Sequence, residues 1–354
     1  MKTFFIPGPV EVSEEVLAEM SKPMIGHRGK EYAELHEEVV SRMKKLFDWN
    51  DYYVFLITSS ATGAMEGATR NCVDKKIMHT VCGAFSELWT KVSQENGKET
   101  IVVETEWGKA IRPEMLIEPL KKHKPEAIAL TYCETSTGVL NPLKDLCETI
   151  KENSPDTLIL VDAVSAFGGA PLDMNWGIDV MFFGVQKSFA LPPGLAVAVV
   201  SKRALERSMS VKNKGYYFNF EIFAKYSEKN NTPSTPAISL IRGLRKQLQR
   251  IEEEGLKNRL ERHASMQAIM EEWMGENGLE FFSEERYRSP TVSALRKPNK
   301  VGITDMVSAM KVKGFTISGG YGKLKEETFR IGHMGEHNAE SLINMLKNLE
   351  AIIK

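Results

Sequence analysis

Two polar side chains at the ends of apolar runs could do chemistry together. Val180–Val185 is apolar except for Gly184, the pattern of a short buried strand. Gln186, Lys187 and Ser188 follow, and Pro192-Pro193-Gly194 closes the turn. A lysine just past a buried strand is poorly solvated, which moves its pKa toward neutrality. A neutral amine attacks carbonyls, so this is a position for a Schiff-base lysine. The other reading is a solvated loop lysine. Leu158–Val161 is a second apolar run, and it ends in Asp162, 25 residues before Lys187. Alone, such an aspartate is more often a helix cap or turn residue. Pyridoxal phosphate needs both groups: a lysine for its aldehyde, and an acid that keeps its ring nitrogen protonated so that the ring serves as an electron sink.

Elements that could position these groups recur along the chain. Strand-like runs are read at 52–57, 76–81, 100–103, 127–132, 158–161, 180–183 and 195–200. Helical patterns lie between several of them, for example 143–150. Such alternation predicts an α/β fold with a mostly parallel sheet covered on both faces. Ligands then gather past the carboxyl ends of the strands. Ser60, Thr135, Asp162 and Lys187 all fall there. Ser60, Ala61 and Thr62 run from a strand into a helix, and free N–H groups at a helix start suit a phosphate; an ordinary Ser/Thr cap is the alternative. Upstream, Pro7-Gly8-Pro9 is rigid and non-helical, Ser13 opens a helix, and Gly26-His27-Arg28-Gly29 is a loop. From Pro236 onward the texture changes to long charged helices and then to mixed strands (291–295, 315–318, 328–331) and helices (305–312, 339–353), which predicts a smaller α+β domain. The boundary is set at 252/253, giving domains 1–252 and 253–354.

Composition narrows the class. At 354 residues two domains are expected. A net charge of −1 leaves no electrostatic footprint for nucleic acid or an anionic membrane. No apolar run approaches spanning length, and Pro7-Gly8-Pro9 comes too early for a signal peptide, so a cytoplasmic protein is expected. The four cysteines, Cys72, Cys82, Cys133 and Cys147, read as reduced core residues. His79 and Cys82 lack a second pair at ligand spacing, so no metal is expected.

The Asp162/Lys187 pair, Phe5-Ile6-Pro7-Gly8-Pro9-Val10, Glu134-Thr135-Ser136-Thr137-Gly138 and Phe329-Arg330-Ile331-Gly332 occur in the order found in one family. The chain resembles the fold-type I, class-V pyridoxal-phosphate aminotransferases, in particular the alanine/serine–glyoxylate (pyruvate) group. The resemblance covers nearly the whole chain. It implies a seven-stranded sheet between helices, with segment 1–15 packing by the small domain at the substrate entrance. It implies cofactor contacts from Ser60, Ala61 and Thr62 at the phosphate, Phe85 stacked on the ring, Thr135 near the phenolic oxygen, and Gln186 toward the phosphate. It also implies a homodimer with shared active sites, in which Asn231 and Thr232 complete a neighbour's phosphate site. Arg330 corresponds to the residue that binds the substrate carboxylate, and Gly8 to a substrate contact. His27-Arg28 resembles a dipeptide that phosphoserine aminotransferases set near the substrate phosphate, although glyoxylate and pyruvate enzymes carry a similar Gly-His-Arg.

The implied reaction is ping-pong transamination with Lys187 as proton carrier. Alanine or serine as donor, and glyoxylate or pyruvate as acceptor, is the first expectation. The alternative is phosphoserine with 2-oxoglutarate, as in serine biosynthesis. Cysteine desulfurases need a nucleophilic cysteine late in the chain, and none of the four lies after residue 147. A nicotinamide dehydrogenase lacks its Gly-x-Gly-x-x-Gly here. A non-catalytic binding paralogue is disfavoured by the presence of the lysine, aspartate and arginine. The glycine-rich stretch 319–322 is read either as a border of the substrate entrance or as a plain hairpin turn.

Overall fold

In the computed structural model, which describes residues 3–354, two main sheets carry the chain, and Cys133–Glu134 and Val139–Leu140 form a separate two-stranded ribbon. The first two residues of segment 1–15 lie outside the described residues. The larger sheet has seven strands, in the order Tyr53–Ile57, Ala196–Val200, Val180–Gly184, Leu158–Asp162, Ala127–Thr131, Lys76–Val81, Glu99–Glu104. Ala196–Val200 is antiparallel to both neighbours, and the other pairings are parallel.

The central strands are apolar throughout because both faces are covered. Successive side chains point to opposite faces, so neighbours in sequence enter different cores. Leu56, Met78, Ile128, Ile159, Met181 and Val197 pack with the helices Lys30–Phe47, Leu143–Asn153 and Ile238–Glu254. Phe55, Ile77, Ala127, Leu160, Phe182 and Ala198 pack with Ala61–Cys72 and Ala84–Glu95. Strand expectations therefore hold to within a residue or two.

The second sheet has the order Thr3–Phe5, Phe315–Gly319, Thr328–Gly332, Val292–Arg296. Its apolar face meets Met266, Met270, Leu342 and Met345 from the helices Leu256–Glu276 and Ala339–Ile353. Thr3–Phe5 pairs in parallel with Phe315–Ile317. Sequence reading found no strand there, since three residues before Pro-Gly-Pro carry no period and the partner lies some three hundred residues away in the chain. Two helices, Lys202–Ser210 and Phe220–Ser227, are also additions to the sequence reading. Gly255, with φ 82°, separates Ile238–Glu254 from Leu256–Glu276. Among the described residues no helix is long and apolar enough to cross a membrane.

Candidate active site

The parallel strands end along one edge, and a cavity of about 270 Å³ opens there. It is lined by nine of the residues singled out above: Gly8, Ser60, Ala61, Thr62, Phe85, Thr135, Asp162, Gln186 and Lys187. Five strands and the N-terminal segment thus deliver their chemistry to one space.

Lys187 leaves the end of Val180–Gly184 and is covered by the N-terminal segment. Val10 N donates to Gln186 O at 3.1 Å, and the Lys187 ammonium donates to Pro7 O. Gly8 has φ 93°, and a Cβ there would stand 2.6 Å from Lys187 Cδ, so only glycine lets this backbone lie against the lysine stem. Burial pushes the Lys187 amine down to about 8, and the Arg330 charge adds to this. Asp162 moves the opposite way, to about 7, chiefly through burial; the Val164 N–H at 2.9 Å and the Lys187 charge pull back. The two groups therefore stand closer to a shared titration range than any exposed pair would.

At the other end, Ser60 caps Ala61–Cys72 without a side-chain cap bond. Two first-turn residues whose N–H groups lack a helical partner, Ala61 and Thr62, line the cavity. Thr135 Oγ1 lies 2.6 Å from Ser165 Oγ, which fixes its hydroxyl. Phe85 lies in the first turn of the helix Ala84–Glu95, and its position depends on a residue whose role was not read from the sequence. Glu134 is fully buried. Its carboxylate accepts Phe85 N at 3.2 Å, Ser86 N at 3.0 Å, Ser86 Oγ at 2.9 Å, Ser136 N at 3.1 Å and Ser136 Oγ at 2.6 Å. A carboxylate at a helix N-terminus satisfies free donors and complements the dipole. Only its place inside the Glu-Thr-Ser-Thr-Gly run could have drawn attention to it.

Arg330 stands beside the cavity rather than in its wall. It is buried, its Nε donates to Gly319 O at 3.2 Å, and its Nη1 lies 3.5 Å from Thr135 O. Burial draws its pKa down to about 10. Four expected site residues are not brought to this cavity within one chain: His27, Arg28, Asn231 and Thr232. Arg28 is occupied elsewhere, donating to Asn231 Oδ1 at 2.6 Å, Thr232 O at 2.6 Å and Pro233 O at 3.0 Å. It organises the segment from 231 to 233.

Comparison with known proteins agrees with this geometry. The family model described as aminotransferase class-V matches residues 10–322. The chain belongs to the class-V aminotransferases. An uncharacterised aminotransferase of Methanocaldococcus jannaschii is 36% identical, with 100% of this chain and 93% of the relative covered. A serine–glyoxylate aminotransferase of Arabidopsis thaliana is 31% identical over 99% of this chain and 90% of the relative. Among solved structures, an alanine–glyoxylate aminotransferase from Nostoc sp. superposes with TM-score 0.94 at 27% identity, covering 100% and 95% of the two chains. A phosphoserine aminotransferase from Cytophaga hutchinsonii gives TM-score 0.93 at 28% identity, covering 100% and 99%.

This aminotransferase therefore works on amino acids and oxo acids with pyridoxal phosphate. The residues present fit that group. A buried amine and a buried carboxylate line the same cavity, a helix start with free N–H groups forms part of its wall, and an aromatic ring forms another. The raised pKa of Asp162 reflects burial that the Lys187 charge only partly offsets; a protonated ring nitrogen against it would draw it further down.

Proposed function

We propose that this aminotransferase moves the amino group of alanine or serine to glyoxylate or pyruvate. The observation that carries the reading is Arg330, a buried guanidinium close enough to Lys187 for its charge to depress that amine. A carboxylate on the Arg330 fork would be held where the neighbouring Cα meets Lys187. The naming of the Arabidopsis and Nostoc proteins supports small substrates. So does Arg28, whose bonds to Asn231 and two carbonyls leave it committed within its own chain.

In this reading the cofactor supplies the electron sink. Asp162 would hold the proton on its ring nitrogen, and Ser60, Ala61, Thr62 and Gln186 would hold its phosphate. Phe85 would fix the ring plane, and Thr135 would bond its phenolic oxygen. Arg330 and the backbone at Gly8 orient the substrate. Lys187, with a pKa near 8, would take the α-proton and return it two bonds away, a 1,3-shift.

The homodimer belongs to the same proposal. Asn231 and Thr232, stiffened by Arg28, would serve a second chain's phosphate site, with His27 beside them; light scattering of the purified holoenzyme tests this. The two-domain division belongs to the same proposal; 252/253 falls in the last turn of Ile238–Glu254, just before the helix break at Gly255. A cytoplasmic location suits four buried, unpaired thiols.

A panel of alanine, serine, aspartate and phosphoserine against glyoxylate, pyruvate and 2-oxoglutarate decides the substrate. Phosphoserine with 2-oxoglutarate is the second reading, favoured by the likeness to the Cytophaga structure. A strong preference for phosphoserine over serine would put it first.

A further inference from the structure

The loop joining Phe315–Gly319 to Thr328–Gly332 reaches away from its own sheet and lies on the first turn of Ala84–Glu95. Tyr321 lies face to face with Phe85, with ring centroids 5.1 Å apart and planes 15° apart. The same ring has Arg330 Cζ 5.4 Å from its centroid. Gly322 packs so closely that a Cβ would stand 3.3 Å from the Trp107 ring and 3.4 Å from Ala84 Cβ. Lys323 pairs with Glu87 at 2.7 Å and lies 4.8 Å from the Trp107 ring centroid. The loop also folds tightly on itself, since a Cβ on Gly320 would meet Leu324 O at 2.0 Å.

These contacts differ in weight. The Lys323–Glu87 pair is exposed and contributes little. The aromatic stack contributes beyond the area it buries. The stack and the glycine packing therefore hold the loop down, and Tyr321 is its contact with the site.

Phe85 lines the cavity, and Arg330 stands at its side. A substrate whose carboxylate sits on Arg330 and whose Cα reaches Lys187 passes beside the ring that bridges Phe85 and Arg330. We propose that Tyr321 is the specificity-determining residue of this enzyme. Its ring closes the space open to the substrate side chain, admits a methyl or hydroxymethyl group and turns away longer chains. This rests on the roles given above to Arg330 and Lys187. Half-exposed, Tyr321 is replaceable without opening a core.

The test is the single-turnover half-reaction of holoenzyme, read from the cofactor absorbance, with alanine, serine, 2-aminobutyrate and norvaline. Wild type should slow steeply as the side chain lengthens. Tyr321→Ala should shift the norvaline-to-alanine ratio of kcat/KM by about 10-fold or more toward norvaline. Tyr321→Phe should keep the wild-type ratio, and Tyr321→Trp should narrow acceptance from serine toward alanine. A purely structural tyrosine would lower every donor equally, and that result overturns the proposal. Wild type that accepts norvaline as readily as alanine also overturns it while leaving the transaminase reading intact. Wild type with no half-reaction on any small amino acid overturns both.

Discussion

Glu134→Gln is the substitution that most directly tests how this site is built. The glutamate has five donors and no cation partner among its bonded neighbours. Glutamine keeps the shape but turns one oxygen into a donor. With the NH₂ in the Oε2 position it faces Ser86 N, and in the Oε1 position it faces Ser136 N. Either way one buried backbone N–H loses its acceptor, at about 1–3 kcal/mol. Phe85 N survives both arrangements, because it reaches both oxygens at 3.2 Å. The remaining bonds weaken by roughly 1 kcal/mol each when the acceptor loses its charge. The total is on the order of 6 kcal/mol.

Relief requires the start of Ala84–Glu95 or the turn at Thr135 to shift, and both line the cavity. Displacement of about 1 Å at such groups costs about 100-fold in rate. Urea unfolding of the cofactor-loaded protein should therefore show a much lower midpoint, and the half-reaction with alanine should slow by about that factor. Glu87→Gln, on the exposed side of the same helix, is the control and should change stability by no more than about 0.5 kcal/mol. If Glu134→Gln costs less than about 1 kcal/mol and leaves the rate within about threefold of wild type, the carboxylate is not what builds this corner of the site.

Three further outcomes are expected. Lys187→Ala should abolish borohydride fixation of the cofactor to the chain and lower transamination by about 10²–10⁴-fold, so fixation mapped to any other lysine would displace Lys187 from its role. Arg330→Lys keeps the charge and loses the fork; the apparent affinity for amino-acid donors should fall by about 10–100-fold, with the cofactor spectrum unchanged, as titration of the half-reaction would show. Asp162 has a folded pKa near 7 against an ordinary value of 3.8, so in cofactor-free protein the folded chain holds the extra proton. That contribution to stability is complete below the ordinary value and is lost as pH rises to about 7. Melting temperatures of cofactor-free wild type should fall relative to Asp162→Asn across that window and run parallel above it, whereas a constant gap would mean that Asp162 is ionised throughout.

The parts of this molecule legible in the sequence are those carried by a period. Alternate residues of 127–130 and 158–161 enter opposite cores, so their continuous apolar runs announced strands covered on both faces. Asp162 and Lys187 were legible because each ends such a run. Arg330 offered no such signal, since a lone arginine in a strand reads as a surface residue, and only the resemblance raised it. Thr3–Phe5 was silent because its partner is distant and its length too short for alternation. Glu134 was visible as a letter in a motif but not as a cap, because its helix begins about fifty residues earlier in the chain.

The same distinction explains what fixes Lys187 from behind. Arg259 is 1% exposed and lies on the helix Leu256–Glu276, whose pattern reads simply as amphipathic. Its guanidinium donates to Ser188 O at 2.6 Å, Gly335 O at 3.2 Å, Glu336 Oε1 at 3.1 Å and Glu254 Oε2 at 2.7 Å. Burial would push Glu336 up, yet Arg259 and Arg250 hold it at about 2. The charges are compensated where they lie, so the arginine can be buried without the large cost of an unpaired ion. One fork thus joins the carbonyl next to Lys187, the loop after Thr328–Gly332 and the end of Ile238–Glu254. With Pro7 and Gly8 laid across the front of the lysine and Arg259 behind it, the amine is confined by elements from both sheets. Arg330 lies on the strand that leads into that loop, so the same junction also sets the distance between the two cations across which a substrate would lie.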